Sequence, residues 1–253
     1  MRILLIRHGQ SRGNVDEAAY ITEGDHKVGL CDLGWKQAIA AGGFLKSYFP
    51  KTDTVDWPTL YLSSYQRTQE TLRGILHGID GAIEGSPKIY EDPRLIEKFF
   101  GATNHINNPE GIVDPHFASE MTKLSKAVYA KDPFTARNLF GDSSKDALTT
   151  MKGFIDGTLS RDVSEGKHDF MFVMHGATIQ AFLMSWAHLP MLAKSKLKNP
   201  GNLDIISIEG TPKNWKIRKI YDGQRMQPVN EAVVDHIKLL TVDTLPPIPE
   251  AFQ

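Results

Sequence analysis

Residues 2–14, Arg2-Ile3-Leu4-Leu5-Ile6-Arg7-His8-Gly9-Gln10-Ser11-Arg12-Gly13-Asn14, decide how the chain is read. Four consecutive apolar residues, Ile3 to Ile6, predict a short strand buried on both faces, and open α/β sheets bind ligands beyond the carboxyl ends of such strands. Arg7 and His8 stand where that strand opens into a loop, which is where a ligand would meet them. The loop supplies donors and small residues able to surround an anion with side-chain and backbone N–H groups. A histidine serving only the core has no use for that company.

The rest of the chain sets the frame. Its 253 residues, 41% hydrophobic and 23% charged, have ordinary globular composition and suffice for a sizeable core. A formal net charge of −1 gives no long-range attraction for nucleic acid or an anionic membrane, so neither is an expected partner. Any anion must be held by a local basic cluster. The single cysteine, Cys31, excludes an intramolecular disulfide and a thiolate-rich metal site, and it reads as a small buried residue. The first apolar run is too short for a signal-peptide core, and no segment approaches the roughly 20 apolar residues of a membrane span. The cytoplasm is the expected location.

Further strand-like runs fall at 59 to 63, 87 to 91, 169 to 174 and 203 to 208, with 215 to 221 as a hairpin partner of the last. Helical patterns lie between them at 34 to 48 after the cap candidate Asp32, at 65 to 79, at 144 to 161 after Ser143, and at 177 to 188. This alternation predicts an α/β fold, a three-layer α/β/α sandwich around a mostly parallel sheet. Residues 100 to 142 break the rhythm around one amphipathic stretch at 116 to 130 and read as a small inserted cap. Residues 1 to 253 then form one domain with a tail from about 222. That tail ends in Leu245-Pro246-Pro247-Ile248-Pro249, which favours an extended path over its own domain.

Three more segments hold what a phosphate at His8 would need. Arg67, in Ser63-Ser64-Tyr65-Gln66-Arg67-Thr68-Gln69-Glu70-Thr71, follows a strand and falls in the first turn of a helix, where a guanidinium can grip phosphate oxygens bidentately. His175-Gly176 follows the strand at 169 to 174 and repeats the setting of His8-Gly9. Glu97, in Arg94-Leu95-Ile96-Glu97-Lys98-Phe99-Phe100-Gly101, stands near aromatic side chains that would desolvate its carboxyl and raise its pKa toward that of a general acid. Each residue alone has a plain alternative, a surface arginine or a solvated carboxylate.

Together these segments resemble the histidine phosphatase superfamily, the phosphoglycerate mutase-like fold. Arg7-His8-Gly9 with Ser11 and Asn14 is similar to its Arg-His-Gly-x-Ser-x-x-Asn signature. Leu30-x-x-x-Gly34-x-x-Gln37-Ala38 resembles its first helix, and Ser63-x-x-x-Arg67-Thr68-x-Glu70-Thr71 its second-arginine motif. Glu97-x-x-x-Gly101 resembles the acid-bearing segment, Met174-His175-Gly176 the second histidine, and Asn202 the closing element. The resemblance runs to about residue 210. It implies that His8 is the nucleophile, that Arg7, Arg67 and His175 clamp the phosphoryl oxygens, and that Glu97 protonates the leaving oxygen and then activates water. It also implies that Gln10, Ser11, Asn14, Gly176 and Ala177 contact substrate or phosphate, with Gln10 standing where a glutamate is often found. No cofactor or metal is expected, since Arg7 beside His8 would repel a cation.

The expected partner is a small phosphorylated substrate, and the sequence leaves a homo-oligomer open. Phosphomonoester hydrolysis is favoured over mutase chemistry because Phe99-Phe100-Gly101-Ala102-Thr103-Asn104 lacks the tyrosine and lysine that mutases carry there, and the cap has no arginine pair. The loop from Asn14 to Leu30 is also longer and lacks a Thr-Gly dipeptide. Three alternatives are weighed against this. Gly9-Gln10-Ser11-Arg12-Gly13 matches a serine-hydrolase elbow, but nothing upstream can supply the earlier strands and oxyanion loop. The others are an inactive phospho-ligand-binding protein and a metal site on the two histidines.

Overall fold

In the computed structural model the first strand, β1, runs Arg2–Arg7, and Ile3 to Ile6 are fully buried. Successive side chains on a strand point to opposite faces. Ile3 and Leu5 accordingly pack into one core, and Leu4 and Ile6 into another. Each such side chain withdrawn from water contributes roughly 1.5–3 kcal/mol, so the strand is clamped from both sides and its end is held firmly. The structure describes residues 1–49, 57–79, 87–102, 114–211, 214–235 and 237.

Among the described residues the other strands are β2 (Thr59–Leu62), β3 (Ile89–Glu91), β4 (Asp169–Met174), β5 (Ile205–Thr211), β6 (Asn214–Asp222) and β7 (Gln227–Ala232). The helices are α1 (Arg12–Val15), α2 (Asp32–Tyr48), α3 (Gln66–Ile79), α4 (Pro115–Lys131), α5 (Ser144–Phe154), α6 (Ser160–Ser164) and α7 (Gly176–Trp186). Ala41 and Leu45 of α2 with Leu72 and Ile75 of α3 fill the core on one face of the sheet. Met151 and Phe154 of α5 and Ile179 and Phe182 of α7 fill the other. The three-layer α/β/α sandwich is therefore present.

The seven strands lie in the order β3-β2-β4-β1-β5-β6-β7. The sheet is more evenly mixed than the sequence reading anticipated. β3, β2, β4 and β1 are parallel, whereas β5, β6 and β7 are each antiparallel to the strand before them in the sheet. The chain reaches β5 through the loop after α7 and enters the sheet at the edge that β1 and β4 leave, so β5 runs back against β1. β7 has no signature in the sequence because it is an exposed edge strand with no apolar alternation, and it carries Pro228, which edges tolerate.

Smaller differences concern boundaries. Cys31 takes the N-cap position of α2 without a side-chain capping hydrogen bond, Asp32 is the first helical residue, and Cys31 is only partly buried. The pattern at 144 to 161 is α5 followed by a π-helical turn at Ile155–Leu159 before α6. Ser143 does cap α5, in a reciprocal box with Asp146. The inserted segment contains α4, and its ends are pinned together: Ala102 N–H donates to Leu139 O at 2.9 Å and Asp142 N–H to Phe99 O at 2.8 Å. Thr103, Asn104 and Leu245–Pro249 lie outside the described residues.

Candidate active site

The parallel half of the sheet assembles the site by register. Arg7 of β1 pairs with Met174 of β4, so the next residue of each strand is a histidine beside its neighbour. His8 N–H donates to Met174 O at 3.0 Å, and the two imidazole centroids are 5.1 Å apart, about one strand spacing. On the other side of β4, Ser63 follows β2 and its N–H donates to Val173 O at 3.1 Å. Asp92 follows β3, and Glu97 stands five residues beyond it. Four carboxyl-terminal strand ends thus deliver His8, His175, the Ser63–Arg67 turn and Glu97.

The loop carrying His8 is fixed from behind by α2 and α3. Gln37 Oε1 accepts the Gln10 N–H at 2.9 Å, and Thr71 Oγ1 accepts the Gly9 N–H at 3.0 Å. Gly34 has to be glycine, because a Cβ there would come within 2.1 Å of Gln10 O. Glu70 accepts the Leu30 N–H at 2.6 Å and so ties α3 to the strand-like entry into α2. From the front, Asn202 donates to His8 O at 3.2 Å and to Asn14 Oδ1 at 2.9 Å.

His8 is 2% exposed. Its Nδ1 lies 2.7 Å from Gly9 O, and because a carbonyl can only accept, Nδ1 carries the ring proton and Nε2 keeps its lone pair. Burial, with Arg67 and Arg7 alongside, holds the imidazole well below its ordinary 6.5, so it is neutral at pH 7. His175 is wholly buried and likewise depressed by burial and by Arg67. Its Nε2 pairs with Ser63 Oγ at 2.8 Å.

Each arginine is pinned by a main-chain carbonyl. Arg7 Nη1 donates to Pro200 O at 2.5 Å, and Arg67 Nη1 to Asp25 O at 2.6 Å. The Arg67 guanidinium also lies over the Tyr65 ring at 4.7 Å. Among the described residues, Arg7 Nε, Arg67 Nε and His175 Nδ1 are buried with no hydrogen-bond partner in the protein. Buried polar groups are rarely left in that state. Arg7 and Arg67 line the same cleft as His8, His175 lies 5.1 Å from it ring to ring, and the Asp25 carboxylate Oδ1 is a buried acceptor without a hydrogen bond in the same cleft.

Glu97 closes the far side of a cleft of about 290 Å³ that it lines with Arg7, His8, Arg67 and Phe100. The residue as a whole keeps some exposure, yet its carboxyl is enclosed and burial raises its pKa, against the opposing pull of the Lys98 N–H, Arg67 and Arg7. Of the two flanking phenylalanines, Phe100 lines the cleft, whereas Phe99 is 53% exposed. Asp92 is committed elsewhere: Arg94 holds its carboxylate down by side-chain and backbone hydrogen bonds.

Asn14 lines the cleft as well. Gln10 and Ser11 sit behind it. The Gln10 amide oxygen accepts from the Cys31 thiol, and buried Ser11 caps α1, its Oγ accepting from Asn14 N–H at 3.2 Å. A serine so engaged is no elbow nucleophile. Gly176 opens α7, where a Cβ would come within 2.3 Å of Asn199 Oδ1, and Ala177 faces a chamber next to the cleft. Sequence reasoning missed Glu17, Tyr20, Asp25 and Asn199, which also line the cleft. The only trace of Tyr20 in the sequence is Gly13, where a Cβ would strike its ring at 2.4 Å. Among the described residues no group of three or more His, Cys, Asp or Glu side chains is placed to hold a metal ion. No helix among them is long and apolar enough to cross a membrane.

Comparison with known proteins gives a consistent picture. The family model described as histidine phosphatase superfamily (branch 1) matches residues 3–223. The phosphoglycerate mutase-like protein AT74 of Arabidopsis thaliana is 32% identical over 219 residues, which cover 82% of this chain but only 64% of that protein's length. Among solved structures, the alpha-ribazole phosphatase from Shigella flexneri superposes with a TM-score of 0.63 at 19% identity, over 87% of this chain and 95% of that one. A mycobacterial glucosyl-3-phosphoglycerate phosphatase in complex with VO3 gives 0.59 at 18% identity, over 91% and 99%. At such identities these two likenesses concern the fold.

Proposed function

Because the chain belongs to the histidine phosphatase superfamily (branch 1), we propose that it hydrolyses the phosphomonoester of a small metabolite through a phosphohistidine on His8. The observation that carries this reading is the set of three unpartnered buried nitrogens, on Arg7, Arg67 and His175, around an imidazole whose Nδ1 proton is already spent on Gly9. In the first step the Nε2 lone pair of His8 attacks phosphorus in line. The P–O bond to the alcohol breaks, its electron pair goes to the departing oxygen, and the Glu97 carboxyl supplies the proton. The three donors hold the phosphoryl oxygens while charge redistributes among them. In the second step Glu97, now a carboxylate, takes a proton from water, which displaces His8 and yields inorganic phosphate. The chain's own cations carry out the clamping.

A phosphoglycerate mutase-type phosphotransferase is the second reading, favoured by the name of the Arabidopsis relative. It would have to hold the released alcohol while it reorients, and the sequence holds no arginine between Arg94 and Arg137, where the cap is inserted, to keep it in place. An inactive phospho-ligand-binding protein would keep the donors and lack turnover. One experiment separates the three. The protein is expected to release phosphate from p-nitrophenyl phosphate and to carry acid-labile, base-stable label on His8 during turnover, and His8→Ala should lose both by several orders of magnitude. Unchanged turnover in His8→Ala would overturn the mechanism. Isomerisation of 3-phosphoglycerate faster than its hydrolysis would establish the mutase.

A further inference from the structure

Beyond Glu97, Phe100 and Asn199, which it shares with the cleft, lies a second chamber of about 290 Å³. Its far wall comes from α7 and the turn after it, including Gln180, Met184 and Lys194, and Lys98 closes the near side. Lys194 is partly buried, and its Nζ donates to Gln180 Oε1 at 2.6 Å. The orientation of that amide is fixed, because Gln180 Nε2 donates to Leu197 O at 2.7 Å, and a carbonyl can only accept. Lys98 Nζ donates to the Tyr129 hydroxyl at 3.3 Å and lies 5.0 Å from the Phe100 ring centroid. Neither ammonium forms an ion pair among the described residues. Both are held by neutral groups beside a chamber that opens on the site.

Two neighbouring cations without a carboxylate of their own raise the cost of burying either. Lys194 registers this: burial and the charge of Lys98 lower its pKa, with only Glu97 opposing. The direction of the reaction points the same way. Glu97 protonates the leaving oxygen, so the alcohol portion of the ester departs past Glu97, toward the chamber. Glu17 and Asp25 line the cleft but not the chamber, so an anionic tail would be repelled in the first and not by them in the second.

We propose that the substrate is a phosphomonoester whose alcohol portion bears a second anionic group, a carboxylate or another phosphate, seated in this chamber by Lys98 and Lys194. The proposal rests on the hydrolase reading above and adds the class of substrate.

The test compares matched esters by kcat/KM. One arm sets 3-phosphoglycerate against glycerol 3-phosphate, which replaces the carboxylate by a hydroxymethyl group. The other sets fructose 1,6-bisphosphate against fructose 6-phosphate. Wild-type protein should prefer the doubly anionic member of at least one arm, and that arm identifies the anion. A charged hydrogen bond is worth enough that Lys194→Gln should shrink the preference between roughly tenfold and a hundredfold, with Lys194→Arg restoring most of it. Lys198→Gln, which removes an exposed lysine of the same loop that does not line the chamber, should leave the ratio as it is and so rule out a long-range field effect. No preference in either arm, or an equal ratio in wild type and Lys194→Gln, would overturn the proposal while p-nitrophenyl phosphate is still hydrolysed. Loss of hydrolysis of every ester by the wild-type protein would count against the hydrolase reading instead.

Discussion

Asp25 holds Arg67 through two contacts to the same nitrogen: its backbone oxygen accepts from Nη1 at 2.6 Å and its carboxylate Oδ1 lies 2.9 Å away. Arg67 is 2% exposed, whereas the Asp25 side chain keeps 31% of its exposure. The carboxylate oxygen that faces Arg67 is buried and accepts no hydrogen bond, so its charge falls on the cation that the proposed mechanism gives to the phosphoryl group. The backbone contact positions the guanidinium, and the carboxylate competes with an incoming anion. Asp25→Asn keeps the first and removes the second. At a partly exposed pair the effect is about 1 kcal/mol, so the inhibition constants of inorganic phosphate and vanadate should fall by about fivefold. Constants that stay put would mean that the residue 20–27 loop swings clear without cost.

Glu97→Gln separates the two proton transfers. With an alkyl phosphate, departure of the alcohol needs a proton, and general acid catalysis contributes about 10²–10⁴-fold, so the first turnover should slow by that order. With p-nitrophenyl phosphate the leaving phenolate needs little help, and the first turnover should be almost unaffected. The base for water is lost in both cases, so the aryl ester should give a burst of phenolate followed by a slow steady rate. Equal slowing of both first turnovers would move the acid role elsewhere. Asp92 is a poor substitute because Arg94 holds it ionised, and Glu91 is exposed on β3.

The pH dependence follows from the two perturbed groups. In the proposed mechanism the reactive form has His8 neutral and Glu97 protonated. His8 is depressed by burial and two arginines, so loss of activity through its protonation falls well below pH 6.5. Glu97 is raised by burial, so its acid form persists above its ordinary 4.5 before it is lost as pH increases. kcat/KM for an alkyl ester should therefore be bell-shaped with its optimum on the acid side of neutrality. In Glu97→Gln the alkaline limb due to this group should vanish. A profile that keeps the same alkaline limb in the variant would assign it to another group, the substrate phosphate included.

Much of this site was legible because its central residues follow strands that announce themselves. Ile3 to Ile6 and Phe170 to Met174 are continuous apolar runs, the first leading into Arg7-His8-Gly9 and the second directly into His175-Gly176. Arg67 and Glu97 were readable once those two fixed the sheet edge. Asp25, Tyr20 and Glu17 were not, because they reach the cleft from a loop with no periodicity, folded back over the site by tertiary contacts. Lys194 was equally hidden, since a lysine near a helix end usually faces solvent and only the Gln180 contact marks it. The antiparallel half was underestimated for a similar reason: β7 is exposed on both faces and offers no alternation to read.

Ser63 marks the point where the sequence named a residue and the structure gave it a partner. Its hydroxyl pairs with His175 Nε2 at 2.8 Å, while His175 Nδ1 is buried without a partner. If Nδ1 is to donate to a phosphoryl oxygen, a neutral His175 must carry its proton there, and Nε2 must accept from Ser63. The Ser63 hydroxyl has the capacity, since it donates one proton and still accepts the Tyr65 N–H at 3.4 Å. Ser63 is then a positioning residue that fixes the tautomer. Removing it in Ser63→Ala forfeits a hydrogen bond worth about 1 kcal/mol, so kcat should fall roughly fivefold to tenfold with KM for p-nitrophenyl phosphate little changed. Ser63→Thr, which keeps a hydroxyl on the same carbon, should recover most of the loss. Nitrogen NMR of the imidazoles supplies the readout that packing alone would not move: His175 should be protonated at Nδ1 in the wild type and a mixture of tautomers in Ser63→Ala. A wild-type proton on Nε2 would reverse the direction of this bond and remove His175 from the donors of the clamp.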